Sequence, residues 1–246
     1  MSKIFDAKKT NDDIIQWIAD YFKNNGVPDT KAVIGISGGK DSSIAAALCV
    51  RALGRERVLG VLMPQGEQDD IDISYALCNT LEIKYIEINI EDSVAALYDN
   101  INDTGLVLND IAVFNTPSRI RMAVLYAISG IIGGRVVNTC NLSEDWVGYS
   151  TKFGDSAGDF SPLSNLTVSE VKAIGYELNL PGMFINKVPI DGLCGKTDEN
   201  NLGFTYDALD RYIREGICED TSVKEKIDKM HRLNRHKIEQ MPSFIP

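Results

Sequence analysis

Apolar and polar positions along this chain follow two rhythms that alternate. Ile14, Ile15, Trp17, Ile18, Tyr21 and Phe22 recur at helical spacing behind the polar cluster Thr10-Asn11-Asp12-Asp13, and Gly26 and Pro28 close the run. That pattern predicts a helix over 10–24. A short β-branched run over 32–37 predicts a strand, and 42–53 predicts a helix stopped by Gly54. The pair then repeats, with strands over 58–63 and 84–90 and helices over 73–81 and 92–101. Pro117 and Ser118 open a long apolar helix to about residue 132, and 135–139 reads as a fourth strand. Thr167 caps a helix to about 178, and two more follow over 206–215 and 222–240. Strands separated by helices of this length imply βαβ units, hence an α/β fold with a doubly wound parallel sheet and helices on both faces.

Segment 141–166 lacks periodicity and is long for a compact domain, which is expected of a functional or partly disordered loop, and 181–201 is a second irregular stretch. The loops 65–70 and 190–201 are expected to be mobile until a ligand orders them. With 246 residues, 44% apolar and 24% charged, the chain has the composition of an ordinary globular protein. It has no apolar run of membrane-spanning length and no secretory leader pattern at Met1-Ser2-Lys3-Ile4. Cys49, Cys78, Cys140, Cys194 and Cys218 are odd in number and scattered, which argues for a reducing, cytoplasmic setting and against structural zinc. A net charge of −10 disfavours nucleic acid as a partner. It still permits a small phosphorylated ligand held by a few placed cations and a divalent metal.

The chemistry concentrates at Gly35-Ile36-Ser37-Gly38-Gly39-Lys40-Asp41-Ser42-Ser43, where a strand passes through a glycine turn into a helix N-terminus. Free N–H groups and the helix dipole make such a turn an anion cradle. Asp41 adds a carboxylate where a metal ion fits. An ordinary capped loop is the plainer reading, and neither the Walker pattern nor the dinucleotide fingerprint is matched. The string S-G-G-x-D-S is more restrictive: it resembles the pyrophosphate loop of ATP pyrophosphatases that adenylate a substrate.

Further strings follow in order: Asn138-Thr139-Cys140-Asn141-Leu142-Ser143-Glu144, Gly148 to Asp155, Asp159-Phe160-Ser161-Pro162-Leu163, Pro189 to Leu193, Leu202 to Tyr206, and His236-Lys237. Together with the first loop they resemble the NAD synthetase family of the ammonia-dependent type. The resemblance implies one NAD synthetase domain over 1–246 without a glutaminase domain, a five-stranded parallel sheet and a homodimer. It implies ATP-dependent amidation of deamido-NAD by ammonia through an adenylated carboxylate. The 35–43 loop, Gln68, Thr139, Lys187 and Thr205 match ATP-binding positions. Arg119, Lys152, Asp155, Asp159, His236 and Lys237 match deamido-NAD positions. Asp41 and Glu144 match Mg2+ ligands, and Asp41, Glu144, Lys187 and Asp155 form the implied catalytic set. Relatives often carry an arginine where this chain has Leu62.

Simpler roles exist for several of these residues. Lys40 fills a variable position and reads equally as a solvated lysine. Glu144 suits a helix N-terminus, and His236-Lys237 suit a helix C-terminus. Asp155 and Asp159 suit turns beside Gly154 and Gly158, whereas Arg119 in a first helical turn opposes the dipole. Met122, Val124, Leu125, Ile128 and Ile131 form an apolar set for either a core or an interface. Another adenylating enzyme of the same fold, tRNA-modifying or sulfur-transferring, and a non-catalytic nucleotide-binding module are the alternatives.

Overall fold

The computed structural model describes residues 5–187 and 197–245. Strands β1 (Ala32–Gly35), β2 (Val58–Leu62), β3 (Lys84–Glu87) and β4 (Arg135–Val136) form one parallel sheet in the order β3-β2-β1-β4. The chain steps outward from β1 to β3 and then returns to the far side of β1. The strand order therefore reverses between β1 and β4, and the carboxyl ends there open the crevice in which such sheets bind ligands.

The helices are α1 (Ala7–Asn25), α2 (Lys40–Leu53), α3 (Ile71–Thr80), α4 (Glu91–Asn102), α5 (Asp110–Ile132) and α6 (Leu142–Val147). They continue as α7 (Val168–Glu177), α8 (Gly182–Ile185), α9 (Asp198–Leu202), α10 (Tyr206–Glu215) and α11 (Thr221–Ile238). Alternation along β1 sends Ala32 and Ile34 into a core with Phe22, Leu48, Leu77 and Ile174 from α1, α2, α3 and α7. Val33 turns to the other face, against Val94 of α4 and Ile128 of α5. A satellite cluster of Val147, Leu209 and Ile227 ties α6, α10 and α11 together beyond the sheet edge.

Among the described residues the expected fifth strand is reduced to a single parallel bridge between Val137 and Phe160. Asn138 N donates to Phe160 O (2.9 Å) and Asp159 N to Val136 O (2.8 Å). The Val136 N–H donates to the Asp159 carboxylate (2.7 Å) instead of a backbone carbonyl. A side chain has replaced the ladder acceptor, and pairing stops there.

Helix starts also differ from the sequence expectation. α1 begins at Ala7 because the Asp6 carboxylate accepts from Lys9 N (2.9 Å), leaving Thr10 to Asp13 inside the helix. α5 begins at Asp110 behind the cap Asn109, so Pro117 lies inside it and Arg119 sits well past the first turn, where the expected conflict with the dipole does not arise. Proline has no N–H to give the carbonyl four residues back. The Tyr98 hydroxyl of α4 donates to that carbonyl, on Val113, at 2.9 Å. The irregular segments hold α6, α8 and α9, and the motif Pro189 to Leu193 with Cys194 lies outside the described residues. Among the described residues no helix is long and apolar enough to cross a membrane.

Candidate active site

The glycine turn after β1 is built by its own hydroxyls. Gly35 ends the strand, buried Ile36 donates its N–H to Val61 O (2.9 Å), and Gly38 takes φ +71°. A Cβ on Gly38 would stand 3.0 Å from Ser74 Oγ and 3.3 Å from Ser74 N, so both the left-handed turn and the close approach of α3 require glycine. Ser37 Oγ accepts from Gly39 N (3.2 Å) and meets Ser42 Oγ at 3.1 Å. Ser43 is fully buried and donates to Gly39 O (2.7 Å), which fixes the start of α2 rather than facing a ligand. Gly39, the N-cap of α2, has no side-chain cap, so the first-turn amides and the dipole face the crevice.

The carboxyl end of β4 leads into the N-terminus of α6, and a single side chain joins it to the turn. Asn141, completely buried, accepts from Glu144 N through Oδ1 (3.1 Å) and donates to Asp41 Oδ1 through Nδ2 (3.0 Å). Lys40 is only 2% exposed; its ammonium donates to Asp41 Oδ2 at 2.8 Å and to Glu144 Oε1 at 3.4 Å. Of the two readings of Lys40, a charge in the anion loop or a solvated surface lysine, the second is thereby overturned. The Tyr206 ring lies 5.7 Å from the ammonium, and the Tyr206 hydroxyl donates to Asp198 Oδ2 (3.3 Å). Burial disfavours the Lys40 charge, but Asp41 and then Glu144 outweigh it and hold the ammonium above the ordinary lysine range. Burial and then the Asp41 charge push the Glu144 carboxyl above the usual carboxylate range, against the pull of Lys40.

The remaining expected residues fall into two groups. Gln68 Nε2 donates to Asp70 Oδ1 (2.8 Å), and Lys187 Nζ pairs with Asp70 Oδ2, which joins the loop after β2 to the segment after α8. Thr139 is half-buried just past β4, and Thr205 caps α10 by accepting from Ala208 N (3.2 Å). On the far side of α6, Arg119 Nε donates to Lys152 O (3.3 Å) and Lys152 Nζ to His236 O. Lys237 Nζ donates to Gly148 O (2.7 Å) and Ser150 O (3.0 Å), with burial lowering its pKa. The Asp155 carboxylate accepts from Thr151 N (2.9 Å). Asp159 holds Val136 as described above and lines, with Asn138, Asp145 and Lys237, a cleft of about 220 Å³. Leu62 is 1% exposed in the core, and it is Arg121 Nε that reaches the end of β2, donating to Met63 O (2.9 Å).

The sequence model of the NAD synthase family matches residues 10–245. The chain belongs to that family. An NH3-dependent NAD+ synthetase of Thermococcus sibiricus is 40% identical over 214 residues, 87% of this chain and 83% of the relative. One from Pyrococcus horikoshii is 36% identical over 249 residues, covering 96% and 93%. An NMN synthetase structure from Francisella tularensis superposes with TM-score 0.88 at 30% identity, covering 97% of this chain and 98% of that one. An NH3-dependent NAD synthetase structure from Campylobacter jejuni gives 0.79 at 28% identity, covering 98% and 100%. NAD synthase membership makes the chain an ATP-using ligase that forms a C–N bond.

A NAD synthase site suits magnesium on the donor chemistry of these residues. Asp41 and Glu144 are hard oxygen donors already sharing one cation, the Lys40 ammonium. Among the described residues no third His, Cys, Asp or Glu completes a protein cage. Two carboxylates with phosphate and water oxygens filling the remainder is the arrangement Mg2+ prefers.

Sequence reasoning left out Asn141, Asp70, Asp198 and Tyr206 as site residues. Asn141 carried a readable signal, a cap three residues ahead of a glutamate. Sulfur chemistry at Cys140 finds no support, because its thiol is 5% exposed, donates to Asp155 O and is pushed well up by burial. Burial likewise raises Cys49 to about 12 and Cys78 to about 11. Iodoacetamide at pH 8 is expected to label half-exposed Cys218 while Cys49, Cys78 and Cys140 stay protected, as peptide mass mapping will show.

Proposed function

We propose that this chain adenylates the nicotinate carboxylate of deamido-NAD with ATP and then amidates it with ammonia, giving NAD, AMP and pyrophosphate. The observation that carries this reading is the junction of the 37–43 turn with α6 at the sheet's reversal, where Asn141 binds both carboxylate carriers. A carboxylate is inert to ammonia because oxide is a hopeless leaving group. Attack of a carboxylate oxygen on the α-phosphorus forms an acyl adenylate and breaks the bond to the β-phosphate. The turn and the first amides of α2 hold the departing pyrophosphate. Ammonia then attacks the acyl carbon, the C–O bond to AMP breaks, and the nitrogen sheds a proton.

Asp41 and Glu144 would hold Mg2+, which supplies charge neutralisation for the phosphates. Lys187, presented by Asp70, and Gln68, Thr139 and Thr205 bind ATP. Arg119, Lys152, His236 and Lys237 surround the acid substrate. Asp155 supplies negative charge for the pyridinium and the incoming ammonia. Asp159 acts through the backbone it holds at β4.

One observation favours a second acid substrate, nicotinic acid mononucleotide. The observation is the likeness, at TM-score 0.88 and 30% identity, to a structure named NMN synthetase. Both acids present the same carboxylate and differ in the distal AMP. The test offers each acid with ATP and ammonium and reads AMP release. The reading expects the dinucleotide to give the higher kcat/KM; AMP release with neither acid contradicts it.

We infer that the working unit is a homodimer acting in the cytoplasm. Of the apolar set on α5, Ile128 packs within the chain's own core with Val124 and Leu125 against it. The outward face instead shows Ala123, Tyr126, Ala127, Gly130 and Ile131, with Ile131 83% exposed, continuous with exposed Arg119. Ile131→Glu is expected to shift the light-scattering mass from dimer to monomer; a wild-type monomer contradicts this assembly.

A further inference from the structure

We propose that the Lys40 ammonium is a built-in competitor of the divalent metal, occupying the Asp41–Glu144 carboxylate pair so that metal binding requires it to withdraw. The inference rests on the reading of Asp41 and Glu144 as the metal pair.

Lys40 is the first residue of α2, yet its side chain runs inward and is 2% exposed. Its nitrogen lies 2.8 Å from Asp41 Oδ2 and 3.4 Å from Glu144 Oε1. Asp41 Oδ1 is already engaged by Asn141 (3.0 Å), and the Tyr206 ring stands 5.7 Å from the ammonium. A divalent ion ligated by these carboxylates has to sit close to the oxygens that now accept from Lys40. A second cation on these carboxylates would stand against the 2%-exposed Lys40 ammonium and be repelled by it, with less screening than in open water. Lysine suits displacement better than arginine, since its charge is compact and its stem flexible.

Two consequences follow. Metal alone binds weakly, because it must first displace a well-placed ammonium. Nucleotide changes the balance, because its phosphates offer the displaced ammonium a new anionic partner, so metal and nucleotide bind cooperatively. The resident ammonium also keeps two enclosed carboxylates from repelling one another when no metal is bound.

The test is Mn2+ binding followed by electron paramagnetic resonance, with melting in EDTA and in Mn2+ as a second readout. Lys40→Met removes the charge at similar length, and Lys40→Gln serves if the first variant fails to fold. Removing the competitor is expected to tighten Mn2+ binding in the absence of nucleotide by about tenfold or more. The variant should melt below wild type in EDTA and recover more than wild type on adding Mn2+. Unchanged or weaker Mn2+ binding in the variant overturns the proposal. Asp41→Asn separates the two layers. If it abolishes Mn2+ binding while Lys40→Met does not tighten it, the competitor is wrong and the metal pair stands. If Asp41→Asn leaves Mn2+ binding intact even with α,β-methylene-ATP, the metal pair is wrong and the competitor falls with it.

Discussion

Asp41→Asn is expected to lower turnover by about a thousandfold while leaving the fold intact. The replacement keeps the shape and keeps an oxygen for Asn141 Nδ2, now 3.0 Å away. What it removes is the charge that faces Lys40 at 2.8 Å and, in the proposed reaction, the metal and the phosphates. Lys40 retains Glu144, so the buried ammonium is not stranded. The loss of stability should stay near 1–2 kcal/mol, below the cost of leaving a buried ion with no partner. Steady-state rates and thermal melting on the same preparation separate the two effects. Activity within a few-fold of wild type removes Asp41 from the chemistry.

Gly148→Ala carries the largest expected effect on stability. Gly148 caps α6 at φ +68°, and a Cβ there would stand 2.1 Å from Asn234 Cβ and 2.4 Å from its Cγ. Asn234 cannot move aside cheaply, because its Nδ2 donates to Val147 O (3.0 Å) and Met230 O (2.9 Å). Overpacking and left-handed strain together should cost about 3 kcal/mol or more. Relief requires α11 to back away from α6, carrying Lys237 off the Gly148 and Ser150 carbonyls. KM for the acid substrate should therefore rise. Gly216→Ala is the control: its φ is +72° but nothing lies within 4 Å of the new Cβ. Strain alone should cost about 1–2 kcal/mol there. Equal melting temperatures for the two variants would contradict the steric argument.

The parts legible in the sequence are those written locally. The passage from a β-branched run through Gly38 and Gly39 into a helix marks the cradle, and short apolar runs between period-3.6 segments place the parallel sheet and most helices. What stayed hidden depends on distant partners. Pro117 looks like the start of α5 because the hydroxyl that satisfies the Val113 carbonyl comes from Tyr98, on another helix. The fifth strand looked available because nothing in Asp159 announces that its side chain will replace a ladder carbonyl. Lys40 stayed open between the loop and solvent because its second partner, Glu144, lies 104 residues further along the chain. The carboxylate roles came from family resemblance, whereas the burial that makes them electrostatically demanding is visible only once β1 and β4 are side by side.

In the proposed reaction the turn and its carboxylates split ATP at the α-phosphorus and activate a carboxylate. Deamido-NAD labelled with 18O in both carboxylate oxygens, turned over with ATP and ammonium, tests this. One 18O is expected in the phosphate of AMP, one in the amide of the product, and none in pyrophosphate. Label in inorganic phosphate accompanied by ADP, or AMP free of label, contradicts it.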